Sequence, residues 1–454
     1  LTPMHYYSHK DKNLKSNFNE ALLASLAGDG GLWMPSVTPA FKESELIELA
    51  AMNFSDCAAS LSNHFVTNQI DKQTLVEICA DAYNFDLPIK TIFGDRQSPY
   101  VISNCQDYIL ELFHGPTLAF KDFAARFMGR CASKLLSVSS EKKIILVATS
   151  GDTGGAIGDA FLDQKNITVI ILFPKNGVSN VQEQQLCTIG SSNSNIYAVK
   201  VDGTFDDCQG LVKEAFSNKS MNKKFSLMSA NSINVGRVIP QSFYYLWSSL
   251  QVKTSNPNLP IVYSIPSGNL GNLTGGLLAK KMGAPIDYFV VGNNLNDPFV
   301  RYLKSGNYNP LPSISTLSNA MDIGRPNNFP RILELYSGDY DKITNVCHGF
   351  SFSDDETEKH IKKIFREFGY VMCPHTAVGH LAMNAFKMKY KFDFTGVTVA
   401  TAHPSKFTEN VDRILGQATE MPISLKSIFK KKKIYKTISP EISELETILL
   451  NCVS

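Results

Sequence analysis

From residue 144 onward one texture recurs. A short, continuous apolar run ends in small polar residues, and a helix-compatible stretch follows. Ile144-Ile145-Leu146-Val147-Ala148-Thr149 ends in Ser150-Gly151-Asp152. Further runs occupy 167–173, 196–201, 261–265, 288–291 and 397–401. Helix-compatible stretches lie around Val181, at 208–216, at 242–250 and at 273–282. Runs this short and this evenly apolar fit strands buried on both faces. Their alternation with helices predicts an α/β fold of parallel sheets flanked by helices. No repeat of fixed period occurs.

The chain has 454 residues. At about 150 residues per domain that is room for about three units. Residues 18–26, 43–52 and 73–83 carry apolar helical periodicity, and glycines at 28–31 break the first run. The expected division is a mainly helical N-terminal region at 1–95, a two-lobed α/β region at 96–404 and a helical C-terminal extension at 405–454.

Lys+Arg exceed Asp+Glu by 44 − 42 = 2. A charge so close to balance gives no field that points to nucleic acid or an anionic membrane. Apolar runs stop far short of the roughly 20 residues that span a bilayer. The 9 cysteines are odd in number, scattered and without CxxC spacing. That argues against a disulfide framework or a thiolate zinc site and for a reducing compartment. No basic-then-apolar leader pattern opens the chain, so the expected location is the cytoplasm. The charge run Lys430-Lys431-Lys432-Lys433 reads as a solvated face.

Chemistry is expected at the carboxyl ends of the strands. Pro266-Ser267-Gly268-Asn269-Leu270-Gly271-Asn272 follows one strand and precedes a helix. Glycines there let the backbone approach an anion, and the helix start offers unpaired N–H groups. The segment reads equally as a phosphate cradle or an ordinary turn. Thr149-Ser150-Gly151-Asp152-Thr153-Gly154-Gly155 is not GxGxxG and by itself reads as an N-cap cluster. Thr401-Ala402-His403-Pro404 closes a third strand.

The most informative segment is Glu111-Leu112-Phe113-His114-Gly115-Pro116-Thr117-Leu118-Ala119-Phe120-Lys121-Asp122-Phe123. Gly115-Pro116-Thr117 marks a turn into a helix. Asp122 and Arg126 stand at i,i+4 and predict a polar side. Lys121 faces elsewhere, with no carboxylate in helical reach. Desolvation and the helix dipole would lower its pKa, as a lysine that attacks carbonyls requires. Taken alone, the segment reads first as a lysine snorkelling from a half-buried helix.

This segment resembles the cofactor-lysine signature of threonine synthases, which are pyridoxal-5′-phosphate (PLP) enzymes of fold type II. Blocks at 31–35, 148–154, 231–234, 266–272, 316–328, 374–379 and 400–404 resemble the family's in the same order. Leu270 departs from a common aromatic, and Gly155 from a common alanine.

The resemblance implies a tryptophan synthase β-like fold of two lobes. It implies that Lys121 holds PLP covalently. Gly268, Asn269, Leu270, Gly271 and Asn272 are implied to hold the cofactor phosphate, and Thr401 the pyridine nitrogen. Ser150, Gly151, Asp152 and Thr153 would meet the substrate carboxylate, and Asn231, Ser232 and Arg237 the substrate phosphate. No metal is implied. The implied reaction turns O-phospho-L-homoserine and water into L-threonine and phosphate, in a monomer or homodimer. Two rivals remain within the fold: a PLP-dependent phospho-lyase that releases 2-oxobutyrate, and another fold-type-II amino-acid lyase. A nucleotide-dependent oxidoreductase would need the GxGxxG fingerprint, which the chain lacks.

Overall fold

The computed structural model describes residues 4–91, 106–190 and 194–453. Cys105 and the expected boundary at 95/96 lie outside them.

Two sheets form the body of the molecule. One has five strands in the order Lys436–Ile438, Ile196–Val201, Ile167–Pro174, Lys143–Ala148 and Leu227–Met228, all parallel. The other has six, in the order Cys347–Ser351, Tyr288–Asn293, Ile261–Pro266, Thr395–Ala400, Gln106–Glu111 and Ile89–Lys90. Its strands are parallel except the short last one, which pairs antiparallel with Gln106–Glu111. Every residue of Ile261–Pro266 and of Thr395–Ala400 is buried. Continuous apolar sequence and two-sided burial thus coincide, as parallel sheets require.

The apolar runs read from sequence became strands. Gln106–Glu111 and Cys347–Ser351 escaped that reading. Polar residues interrupt the first, and the second is an edge strand with mostly half-buried residues.

The helix Val235–Ser255 is buried along nearly its whole length and on all sides. A helix apolar all round belongs inside a protein. It packs against the helices Gly271–Met282, Lys121–Ser137 and Phe54–Phe65. Pro240 sits in its second turn, where it removes one backbone donor.

The structure adds short strands to two regions read as helical. The N-terminal region carries four helices (Phe18–Ala24, Glu43–Ala51, Phe54–Phe65, Lys72–Ala82) and also a small antiparallel sheet of Lys15–Ser16, Tyr6–Ser8 and Trp33–Pro35. The C-terminal extension is not purely helical, because Lys436–Ile438 adds an edge strand beside Ile196–Val201. These strands are two or three residues long, too short to show a period. In the charge run, Lys433 pairs with Glu183 at 2.8 Å. Lys430, Lys431 and Lys432 are exposed. Among the described residues no helix is long and apolar enough to cross a membrane.

Candidate active site

The carboxyl ends of strands from both sheets converge on one cleft. Every residue singled out above for cofactor or substrate lines it except Gly151. Gly151 lies behind the wall at φ +127°, and an added Cβ there would strike the Gln182 amide.

Pro266 leads into a turn whose Leu270 has φ 60°, and the helix Gly271–Met282 begins at the next residue. A Cβ on Gly268 would lie 2.8 Å from the Met321 Cα, so only glycine lets the two backbones pass. At Gly271 a Cβ would meet only ordinary contacts at 3.4 Å, so bulk alone does not demand glycine. The turn is fixed from outside. The Asn327 amide donates to Asn269 Oδ1 at 2.7 Å, and Asn328 Nδ2 to the Asn269 carbonyl at 3.0 Å. Asn272 Oδ1 accepts the hydroxyls of Tyr244 (2.6 Å) and Tyr245 (2.8 Å). Its Nδ2 is buried without a partner. The first N–H groups of a helix likewise lack intrahelical acceptors, so this end of the cleft is rich in donors.

Lys121 is the first residue of the helix Lys121–Ser137. What accessible surface it keeps faces the cleft, and protein surrounds the rest of the side chain. Burial lowers its pKa to about 8; Asp152 opposes the shift, while Lys406 and Arg237 add to it. The expected absence of a carboxylate within helical reach therefore needs completing, because Asp152 arrives from the other sheet.

The expected Asp122–Arg126 pair does not form. Asp122, one residue into the helix, turns back to accept the Thr117 amide at 2.9 Å and the Thr117 hydroxyl. Arg126 donates to Asp159 at 3.2 Å and to the Ala82 carbonyl at 2.8 Å. Burial raises the Asp122 pKa to about 6.

The strand Leu227–Met228 leads to Asn231 and Ser232. Asn231 is not the cap of the helix that follows. Asn234 is, accepting the Gly236 amide at 2.9 Å. Asn231 Nδ2 donates to the Ala148 carbonyl at 3.2 Å, and its Oδ1 is buried without a partner. Ser232 Oγ accepts Asn328 Nδ2 at 3.0 Å. Arg237 is 3% exposed, lines the cleft and donates to the Ala230 carbonyl. Its Nε has no partner, and among the described residues no carboxylate pairs with it. Burial lowers its pKa, and a guanidinium stays charged even so. A buried cation with an idle donor fits an anionic ligand.

Asp152 opens the helix Asp152–Phe161. Its Oδ1 takes Lys406 Nζ at 2.7 Å and Gln182 Nε2 at 2.9 Å. Lys406 holds it well below the usual carboxylate range. Thr149 Oγ1 accepts the amides of Gly151 (2.9 Å) and Gly154 (2.8 Å), which shapes the turn. Thr401 follows the strand Thr395–Ala400 and is 6% exposed. Its carbonyl accepts the Phe120 amide at 2.8 Å, which ties it to the residue before Lys121.

The sequence did not single out His375 or Gln241, yet both line the cleft. His375 Nε2 accepts the Ala320 amide at 3.2 Å, and burial lowers its pKa to about 4, which keeps it neutral. It lies within the block 374–379, so its segment was visible even though its role was not.

Three family models match the chain. One, described as pyridoxal-phosphate dependent enzyme, covers 104–403. A second, threonine synthase N terminus, covers 5–83, and a third, threonine synthase, C-terminal, covers 376–449. A threonine synthase of Buchnera aphidicola subsp. Schizaphis graminum is 39% identical over 447 residues, 98% of this chain and 100% of its own length. The Escherichia coli K12 threonine synthase is 36% identical, covering 99% of this chain and 100% of its own length. The crystal structure of a PLP-bound threonine synthase from Brucella melitensis superposes with TM-score 0.89 at 31% identity, over 99% of both chains.

Proposed function

The chain belongs to the threonine synthase family of pyridoxal-phosphate-dependent enzymes, and on that premise we propose how its own residues divide the reaction. It is a PLP-dependent lyase that converts O-phospho-L-homoserine and water to L-threonine and phosphate. Its fold is that of the fold-type-II PLP enzymes.

The residues present fit the cofactor. Lys121, with its pKa near 8, holds a usable fraction of free amine at neutral pH. Gly268, Asn269, Leu270, Gly271 and Asn272 present the backbone of a helix start to its phosphate. Thr401 offers a hydroxyl to the ring nitrogen. When bound, PLP supplies an electron sink for negative charge at Cα.

The protein supplies the rest. The turn of Ser150, Gly151, Asp152 and Thr153 grips the substrate carboxylate through hydroxyls and N–H groups. The Asp152 carboxylate is spent on Lys406 and does not do so itself. Lys121 removes protons at Cα and Cβ as general base and, as general acid, returns one at Cγ once the phosphate has left and one at Cα at the end. Arg237, with Asn231 and Ser232, holds the γ-phosphate and stabilises the dianion that leaves; water then adds at Cβ. The observation that carries this assignment is the buried guanidinium of Arg237, with an idle Nε and, among the described residues, no carboxylate partner, on the wall that also bears Lys121. A lyase acting on an unphosphorylated hydroxy-amino acid has no use for it.

The division 1–95, 96–404 and 405–454, the cytoplasmic location and a monomeric or homodimeric state complete the reading. Its experiment is borohydride reduction of the purified holoenzyme with peptide mapping, then product analysis with O-phosphohomoserine. Label on Lys121 and threonine as product are expected. Label on another lysine, or 2-oxobutyrate as the main product, overturns it.

A further inference from the structure

Lys406 has no accessible surface. It lies in the short turn Pro404–Phe407, beyond the last strand of the six-stranded sheet. Its ammonium makes two contacts at 2.7 Å. One is to Asp152 Oδ1, at the end of a strand of the five-stranded sheet, and the other is to the Thr117 carbonyl, four residues before Lys121. The same point is held from a third side by the helix Asn180–Thr188. Gln182 donates to Asp152 at 2.9 Å and Gln185 to the Thr117 carbonyl at 3.3 Å. Ser179, the cap of that helix, donates to the Lys406 carbonyl at 2.8 Å. Thr117 in turn anchors Asp122, the neighbour of Lys121.

Desolvating an ammonium fully costs several kcal/mol, and one good ion pair does not by itself make that favourable. A hydrogen bond between neutral groups could have joined the same loops. What a charge adds here is electrostatic. Asp152 and Lys406 both act on Lys121, with opposite sign. Without Lys406, Asp152 would be a buried carboxylate left with Lys121 as the other cation that acts on it.

We propose that Lys406 is a positioning residue for the reaction: it pins the Thr117 and Asp152 loops from opposite sheets in register, and it occupies Asp152 so that this carboxylate does not capture the Lys121 ammonium. The inference rests on Lys121 being the reacting amine. Other charged or titratable groups are close. Arg237 acts on Lys121, Cys373 and His375 on Asp152, Asp122 and His403 on Lys406. His375 and His403 are neutral near pH 7, and the Cys373 thiol is pushed up by burial. None of them can replace Lys406 as the cation on Asp152.

The test is the pH dependence of Lys121. In Lys406→Met, Lys121 and Asp152 form the pair, and the free amine appears only at higher pH. The acidic limb of kcat in the holoenzyme, which reports the enzyme after substrate has displaced the Lys121 amine, should rise by about one pH unit or more, the size expected when opposite charges meet at close range. In cofactor-free full-length protein, acetylation of Lys121 by acetic anhydride, followed by peptide mass, should show the same rise. Lys406→Met/Asp152→Asn removes both charges and should return the limb toward the parent. Asp152→Asn alone leaves Lys406 unopposed and should move it down. An unshifted limb in Lys406→Met, or no return in the double variant, overturns the inference. Should Lys406→Met fail to fold, Asp152→Asn decides alone, and an unshifted or upward limb there overturns it. Borohydride label on another lysine would instead overturn the reading of Lys121, so the two failures are distinct.

Discussion

Two buried arginines bond carbonyls of the segment 230–233, and they have opposite hydrogen-bond economies. Arg331 is fully buried and makes its hydrogen bonds within the protein. It donates to the carbonyls of Ser232 (2.8 Å) and Ile233 (2.7 Å), to Asn328 Oδ1 at 2.5 Å and, at 3.4 Å, to the Trp33 carbonyl. It ties the N-terminal sheet to the cleft wall. Arg237, nearly as buried, bonds one carbonyl and leaves Nε idle. Burial lowers the pKa of both, so burial does not separate the structural cation from the ligand-binding one. Unused hydrogen-bonding capacity on a residue that lines a cleft does.

The largest expected effect lies on the reacting side of that contrast. Lys121→Ala removes the amine and the proton shuttle together, so threonine formation should vanish while thermal stability stays near the parent's. Residual threonine at parental rates would remove Lys121 from the chemistry.

Arg331→Met comes next and should act on the fold. It leaves buried carbonyls of three segments without donors. Each orphan costs about 1–3 kcal/mol, so unfolding in urea should shift by about 4 kcal/mol. A variant as stable as the parent would show that the carbonyl cage is dispensable.

Arg237→Ala should do the reverse. It orphans one carbonyl, that of Ala230, so its stability should fall less than that of Arg331→Met and bound PLP should be retained, while kcat/KM for O-phosphohomoserine falls by about 3 kcal/mol, within the range for truncating a buried charged hydrogen-bond partner. Inorganic phosphate should inhibit the parent competitively and the variant much less. Equal inhibition of both proteins would place the substrate phosphate elsewhere.

Gly271→Asp sharpens the contrast from the cofactor side. Its Cβ has room, so the expected loss is electrostatic: a carboxylate beside the phosphate cradle. Dialysis should strip PLP several-fold faster than from the parent, and an unchanged rate would reduce the turn to a turn.

The smallest effect is one of pH. Burial lowers the pKa of His348, His360, His375 and His403 from 6.5 to about 4. Below about 6.5 the unfolded chain binds protons that these rings in the folded chain refuse, so their contribution is complete above that pH and is lost as pH falls toward 4. Asp122 and Asp322, raised to about 6, act the other way and offset part of the loss. Urea midpoints should therefore fall between pH 6.5 and 4, and His375→Asn should flatten the slope. An unchanged slope would mean His375 titrates normally.

Much of this was legible in the sequence. Continuous apolar runs closed by small polar residues announce buried parallel strands, because only two-sided burial tolerates them. Gly268 and Gly271 after one strand and Lys121 after a glycine-proline turn mark where chemistry sits, because strand ends and helix starts expose backbone groups. Family likeness then gave each block a role. Side-chain pairing was not legible. Asp122 and Arg126 share helical spacing yet choose Thr117 and Asp159, since Asp122 sits where the free N–H groups of the preceding turn lie within reach. Nor could spacing tell Arg237 from Arg331, or show that Lys406, 285 residues beyond Lys121 (406 − 121), acts on the same carboxylate. A local pattern fixes which way a backbone runs and which face is apolar. Which buried charge is satisfied depends on atoms brought from distant loops, and only tertiary packing decides that.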